Sequence, residues 1–72
     1  MTRSEWIAQF AARLGVEPPD DQTIEALLAL AGDAAHASER SAAPIACYLV
    51  GRAQVDPKTA RLAAEKIGSA LA

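Results

Sequence analysis

Residues 20–37 read DDQTIEALLALAGDAAHA, and this stretch decides the fold class. Ile24, Leu27, Leu28, Ala31 and Ala35 recur at helical spacing and line one face, with no two-residue alternation to suggest a strand. Asp20 or Asp21 supplies a carboxylate able to accept from the free amides of a first turn. The spacing predicts a helix over 21–37, the longest in the chain and for that reason the expected centre of the fold.

Upstream, Val16 to Pro19 forms a stiff connector, because Pro18 and Pro19 fix φ twice and remove two donors. Before it, Thr2-Arg3-Ser4-Glu5 is a capping box, with a threonine N-cap and a glutamate three residues on. Trp6, Ile7, Phe10 and Leu14 then share one helical face, and Gly15 is placed to end the helix in a left-handed C-cap. Downstream, residues 38–43 lose periodicity and lead to Pro44, a residue favoured in the first turn, where its missing N–H costs nothing. The third helix is expected to begin there, with Ile45, Tyr48 and Leu49 on one face, Cys47 and Val50 beside it, and Gly51 small enough to admit a neighbouring helix. Asp56-Pro57 pairs an N-cap with a first-position proline, and Ala60, Ala64, Ile67 and Leu71 make the stripe of a fourth helix. Its Lys58, Arg61, Glu65 and Lys66 read as mostly solvated. The expectation is one all-α domain over 1–72, a small compact bundle of four helices at about 3–14, 21–37, 44–54 and 57–71.

Composition bounds what such a bundle can do. Of the 37 hydrophobic residues 18 are alanine, so the core formers reduce to 17 Leu, Ile, Val and aromatic residues. Alanine favours helices and lets them approach closely, but it buries little area. A domain of this size hides only about 60% of its unfolded surface, so a partner or a second copy is a natural source of further burial. Seven basic residues against nine acidic lack the positive excess that binding a nucleic-acid backbone requires. No run of about 18 apolar residues spans a membrane, and the opening MTRSEWIAQF does not read as a signal peptide. With a lone Cys47 and no such leader, the expected location is cytoplasmic.

The densest polar group is Asp33-Ala34-Ala35-His36-Ala37-Ser38-Glu39-Arg40. His36 and Arg40 would meet on one face if the helix continued through them. His36 and Glu39 have the spacing of a two-ligand helical pair, too few ligands for a zinc site, so neither a metal nor a cofactor is expected. A histidine such as His36 can serve as a general base, yet no nucleophile is arranged around it, and no enzyme activity is expected of the chain. With Pro44 as the first helical residue, Ala43 would be an N-cap without a side-chain oxygen. Its uncapped amides, near Arg40 and His36, are the ingredients of an anion site. Water or Ser41 could equally satisfy them.

The run from Asp33 to Pro44, continued by Tyr48-Leu49 and Gly51, resembles an uncharacterised family of small helical domains from high-GC bacteria. The shared pattern is D-x-A-H, then R-x-A-A-P, then an aromatic-Leu pair and a glycine; Trp6 and the LGVEPPD turn extend the likeness over about residues 5–53. Members of that family occur alone or appended to nucleotidyltransferases resembling the molybdenum-cofactor guanylyltransferase. The resemblance therefore implies a role near molybdopterin cofactor assembly or delivery. It carries over Asp33, His36, Arg40, Ala43 and Pro44 as candidate ligand- or partner-binding residues. Ser41 departs from the pattern, where many members carry proline.

The leading expectation is an accessory module that docks on a protein partner, with a molybdenum-cofactor enzyme or its maturation factor implied by the resemblance. The alternatives are a module binding a phosphorylated ligand at the start of helix three, and a structural homodimer.

Overall fold

The computed structural model describes the backbone of residues 1–71 and the side chains of residues 1–67. It contains four α-helices, α1 (Arg3–Leu14), α2 (Asp21–Ala37), α3 (Ala42–Ala53) and α4 (Pro57–Leu71), and no strand among the described residues. The all-α expectation holds, and three of the four helix ranges are as expected. The Leu71 side chain, placed on the α4 stripe from sequence, lies outside the described residues.

The helix ends follow from local chemistry. At α1, the Glu5 N–H donates to Thr2 Oγ1 at 3.1 Å and the Thr2 N–H donates to Glu5 Oε1 at 3.2 Å, closing the capping box. Gly15 sits at φ 75°, a left-handed conformation open to glycine at no steric cost, and the Gly15 and Val16 amides donate back to carbonyls of the last turn. Asp20, not Asp21, caps α2, accepting from the Thr23 N–H at 2.8 Å. Asp56 accepts from the Lys58 N–H at 2.7 Å ahead of Pro57.

The third helix departs from expectation by two residues. It starts at Ala42, so Pro44 occupies its third position instead of its first. Any position in the first turn tolerates proline, because those amides lack an intrahelical acceptor in every case. The helix ends at Ala53, one residue before the expected end, and its C-cap Gln54 takes φ 57° without being glycine.

Packing is organised around α2. The α3 helix folds back antiparallel along it, whereas α4 runs parallel to it, so that Asp20 and Thr23 neighbour Asp56 and Pro57 while Ala34 and Ala37 neighbour Ala64 and Ile67. Half-buried alanines carry both contacts, among them Ala26, Ala29 and Ala34 of α2, Ala42 and Ala46 of α3, and Ala60 and Ala64 of α4. Among the described residues α3 and α4 hardly touch each other, and α1 has no extensive contact with any helix. It rests near the first half of α2, where Ile7 faces Ile24, Leu27 and Leu28.

The Leu, Ile, Val and aromatic residues build only a small core. Among the described residues only Ala11 and Leu30 are buried, and Leu30 is absent from the stripe read from sequence. Trp6 and Phe10 remain 53% and 47% exposed, and Leu14, Ile45, Tyr48, Leu49 and Ile67 are exposed as well. No helix closes on Gly51, which has open space where a side chain would stand. The chain exposes 5749 Å², against about 4,200 Å² for a compact monomer of 7.5 kDa. Its radius of gyration is 13.0 Å, where a compact domain of this length has about 11 Å.

Candidate functional site

The candidate residues lie at the corner where α2 turns into α3. The α2 helix stops at Ala37, and the Ser38 hydroxyl and amide both donate to the Ala34 carbonyl, at 2.9 and 3.2 Å. Two links in the sequence reading fail here. Because α2 ends before Arg40, His36 and Arg40 do not share a helical face; Arg40 lies in the turn. The amides expected to be free are also occupied, since the Ala42 and Ala43 N–H groups donate to the Glu39 and Arg40 carbonyls at 3.0 and 3.1 Å. Pro44 contributes no N–H. Ser41 is the N-cap by position, yet its hydroxyl donates to Glu39 Oε1 at 3.1 Å instead of accepting from the helix. The donors an anion site would need are thus spent within the turn.

Asp33 is drawn away from the corner. Its carboxylate accepts from Arg61 of α4, Nε to Oδ2 at 2.7 Å and Nη2 to Oδ1 at 3.5 Å, the only ion pair among the described residues. The Arg61 hydrogen bond holds the Asp33 carboxyl below its ordinary value against the opposing effect of partial burial, and the charges of Arg61 and His36 act in the same lowering direction. The same carboxylate raises Arg61. Both partners are partly exposed, so this contact orients α4 on α2 more than it stabilises the fold. Arg61 is exposed, as expected, but it is engaged.

What the corner presents is therefore His36, Arg40 and Pro44, all exposed, with Ala43 half-buried behind them. Cys47 on α3 is a free, half-buried thiol. No group of three His, Cys, Asp or Glu stands together among the described residues, and no described helix is long and apolar enough to cross a membrane.

Beside the corner opens a groove that the sequence reading missed. Because α3 and α4 both lean on α2 without closing on one another, a cavity of about 640 Å³ lies between them. Leu30 and Ala34 form its floor, Ile45 and Leu49 one wall, Ala64 and Ile67 the other. Ser38, Glu39 and Ser41 stand at its mouth, next to the exposed corner. The wall residues were legible as apolar stripes; that they face an open groove depends on how two helices splay on a third.

The whole chain, residues 1–72, matches the family described as Domain of unknown function (DUF6457), and it belongs to that family. No curated protein and no solved structure shows significant similarity to it.

Proposed function

We propose that this domain is a non-catalytic docking module of the cytoplasm, whose protein partner meets the corner formed by His36, Arg40 and Pro44. The observation that supports this reading is the extent of uncovered apolar surface. Among the described residues twelve large hydrophobic side chains are exposed, and the groove between α3 and α4 opens directly beside the polar corner. Contiguous apolar patches rimmed by polar groups mark protein contacts, because water is released when they are covered. His36 and Arg40 would give the contact its direction, through charge-assisted hydrogen bonds to acceptors on the partner. The setting we propose, molybdenum-cofactor assembly or delivery, rests on the sequence resemblance alone; within it the partner is a molybdenum-cofactor enzyme or maturation factor.

Affinity co-purification from native lysate tests this, with the wild-type chain and the His36→Ala/Arg40→Ala variant as parallel baits. The expected result is a partner recovered by the wild type and lost with the variant. Equal recovery by both baits, or none by either, overturns the reading.

A further inference from the structure

We infer that the groove between α3 and α4 receives helix α1 of a second copy of this chain, so that two chains exchange their first helices in a closed pair. This goes beyond the docking corner and concerns the apolar groove that opens beside it.

The argument begins with α1. Trp6, Phe10 and Leu14 lie at i, i+4 and i+8, and all three are exposed although the helix carries a full capping box and a glycine C-cap. The Trp6 and Phe10 rings are stacked with centroids 5.0 Å apart, a rigid aromatic knob already formed. Such a pair loses little conformational freedom on docking, which is what an anchor requires.

The groove matches the knob in length and character. Trp6 to Leu14 spans about 12 Å along the α1 axis. The floor from Leu30 to Ala37, and the wall from Ala42 to Leu49, each run about 10 Å. In this fold a chain's own α1 lies outside its groove. Its α1 rests near Ile24, Leu27 and Leu28, whereas the groove floor of Leu30, Ala34 and Ala37 lies on a different face of α2.

Charge and area agree. Helix α1 carries Arg3 and Arg13 against Glu5, while the groove mouth carries Glu39 and the carboxyl end of the α2 dipole, with Asp33 already neutralised by Arg61. The chain exposes about 1,500 Å² more than a compact monomer of its mass. Covering that excess on both copies would bury about 3,000 Å², inside the range of obligate homodimers. A net charge of −2 opposes self-association only weakly.

A knob and a groove on one chain can be separated and recombined. The Trp6→Ala/Phe10→Ala variant lacks the knob, and Ile45→Arg blocks the groove from an exposed position. Wild type should sediment at twice the 7.5 kDa chain mass, and each variant alone should associate about tenfold more weakly or worse. Mixing the two variants should restore a heterodimer, because one intact knob then meets one intact groove. Trp6 is the sole tryptophan, so in that mixture all tryptophan emission, excited selectively over Tyr48, comes from the groove-blocked chain, and it should move to shorter wavelength as the ring enters its neighbour's groove. This readout holds even if either variant alone loses helix. The His36→Ala/Arg40→Ala variant should remain dimeric, which separates this inference from the docking reading. A wild type that stays monomeric at high concentration, a ladder of larger oligomers, or a mixture with unshifted emission each overturns the exchange.

Discussion

Replacing Leu30 by alanine should cost the domain about 2–3 kcal/mol, while the same change at Leu28, two residues along the same helix, should cost about 1 kcal/mol. Leu30 is 3% exposed and Leu28 53% exposed. Nearly the whole Leu30 side chain has left water, so its removal forfeits the full transfer term. Because Leu30 forms the floor of an open groove, truncation leaves a dent that water can enter instead of a sealed void, which places the cost in the lower half of the range for buried leucines. Leu28 has left water by about half, and half of a leucine's transfer value is about 1 kcal/mol. Total stability for a chain of this length is about 4–11 kcal/mol, so Leu30→Ala removes a large share of it. Urea unfolding followed by far-ultraviolet circular dichroism measures both changes, with unchanged m-values as the check that only stability moved. Equal costs at the two positions, or a Leu30→Ala cost below about 1 kcal/mol, would refute the claim that this single leucine is the centre of the core.

Two further predictions concern helix ends and acid. Gln54 holds a left-handed φ of 57° at the end of α3, so Gln54→Gly should stabilise the domain by about 0.5–1 kcal/mol, read as a higher urea midpoint. Asp20 and Asp33 both have folded-state values below the ordinary 3.8, Asp20 through its hydrogen bonds with Thr23 and Asp33 through Arg61. A depressed carboxyl contributes stability that is complete above the unfolded value and is lost as pH falls through the folded one. The thermal midpoint should therefore fall on acidification below about pH 5, and Asp20→Asn with Asp33→Asn should flatten that fall. A slope unchanged by the double variant would contradict it.

The features legible in the sequence are local ones. The capping box at Thr2 and Glu5, the carboxylate caps at Asp20 and Asp56, and the left-handed Gly15 each depend on residues within four positions of one another. Proline is a blunter signal, and Pro44 misplaced the α3 start by two residues because the whole first turn accepts it. The stripe of Ile24, Leu27, Leu28, Ala31 and Ala35 identified a helix correctly, and all but Leu28 are half-buried, but it left out Leu30, the one buried residue of α2. Since α2 is apolar nearly all round, Ala26, Ala29, Leu30 and Ala34 form an equally good stripe, and α3 and α4 choose between them. At the candidate site, His36, Arg40 and Pro44 are all exposed along the segment that joins α2 to α3, but Asp33 belongs to an ion pair 28 residues apart in sequence that no helical spacing announces. The first amides of α3 are not free as expected, for a geometric reason. A tight turn gave the Ala42 and Ala43 amides backbone acceptors that residue types alone do not specify.

The central claim is that this fold is completed by protein contact, and thermal unfolding over a wide range of chain concentration tests it most directly. Anything that binds only the folded state raises its midpoint by mass action, and a second copy does so in proportion to its own concentration. The account expects a midpoint that climbs steadily with concentration for the wild type and stays flat for the Trp6→Ala/Phe10→Ala variant. A wild-type midpoint independent of concentration, in a cooperative transition typical of a self-sufficient domain, would show that the chain stands alone with its apolar surface open, and would contradict it.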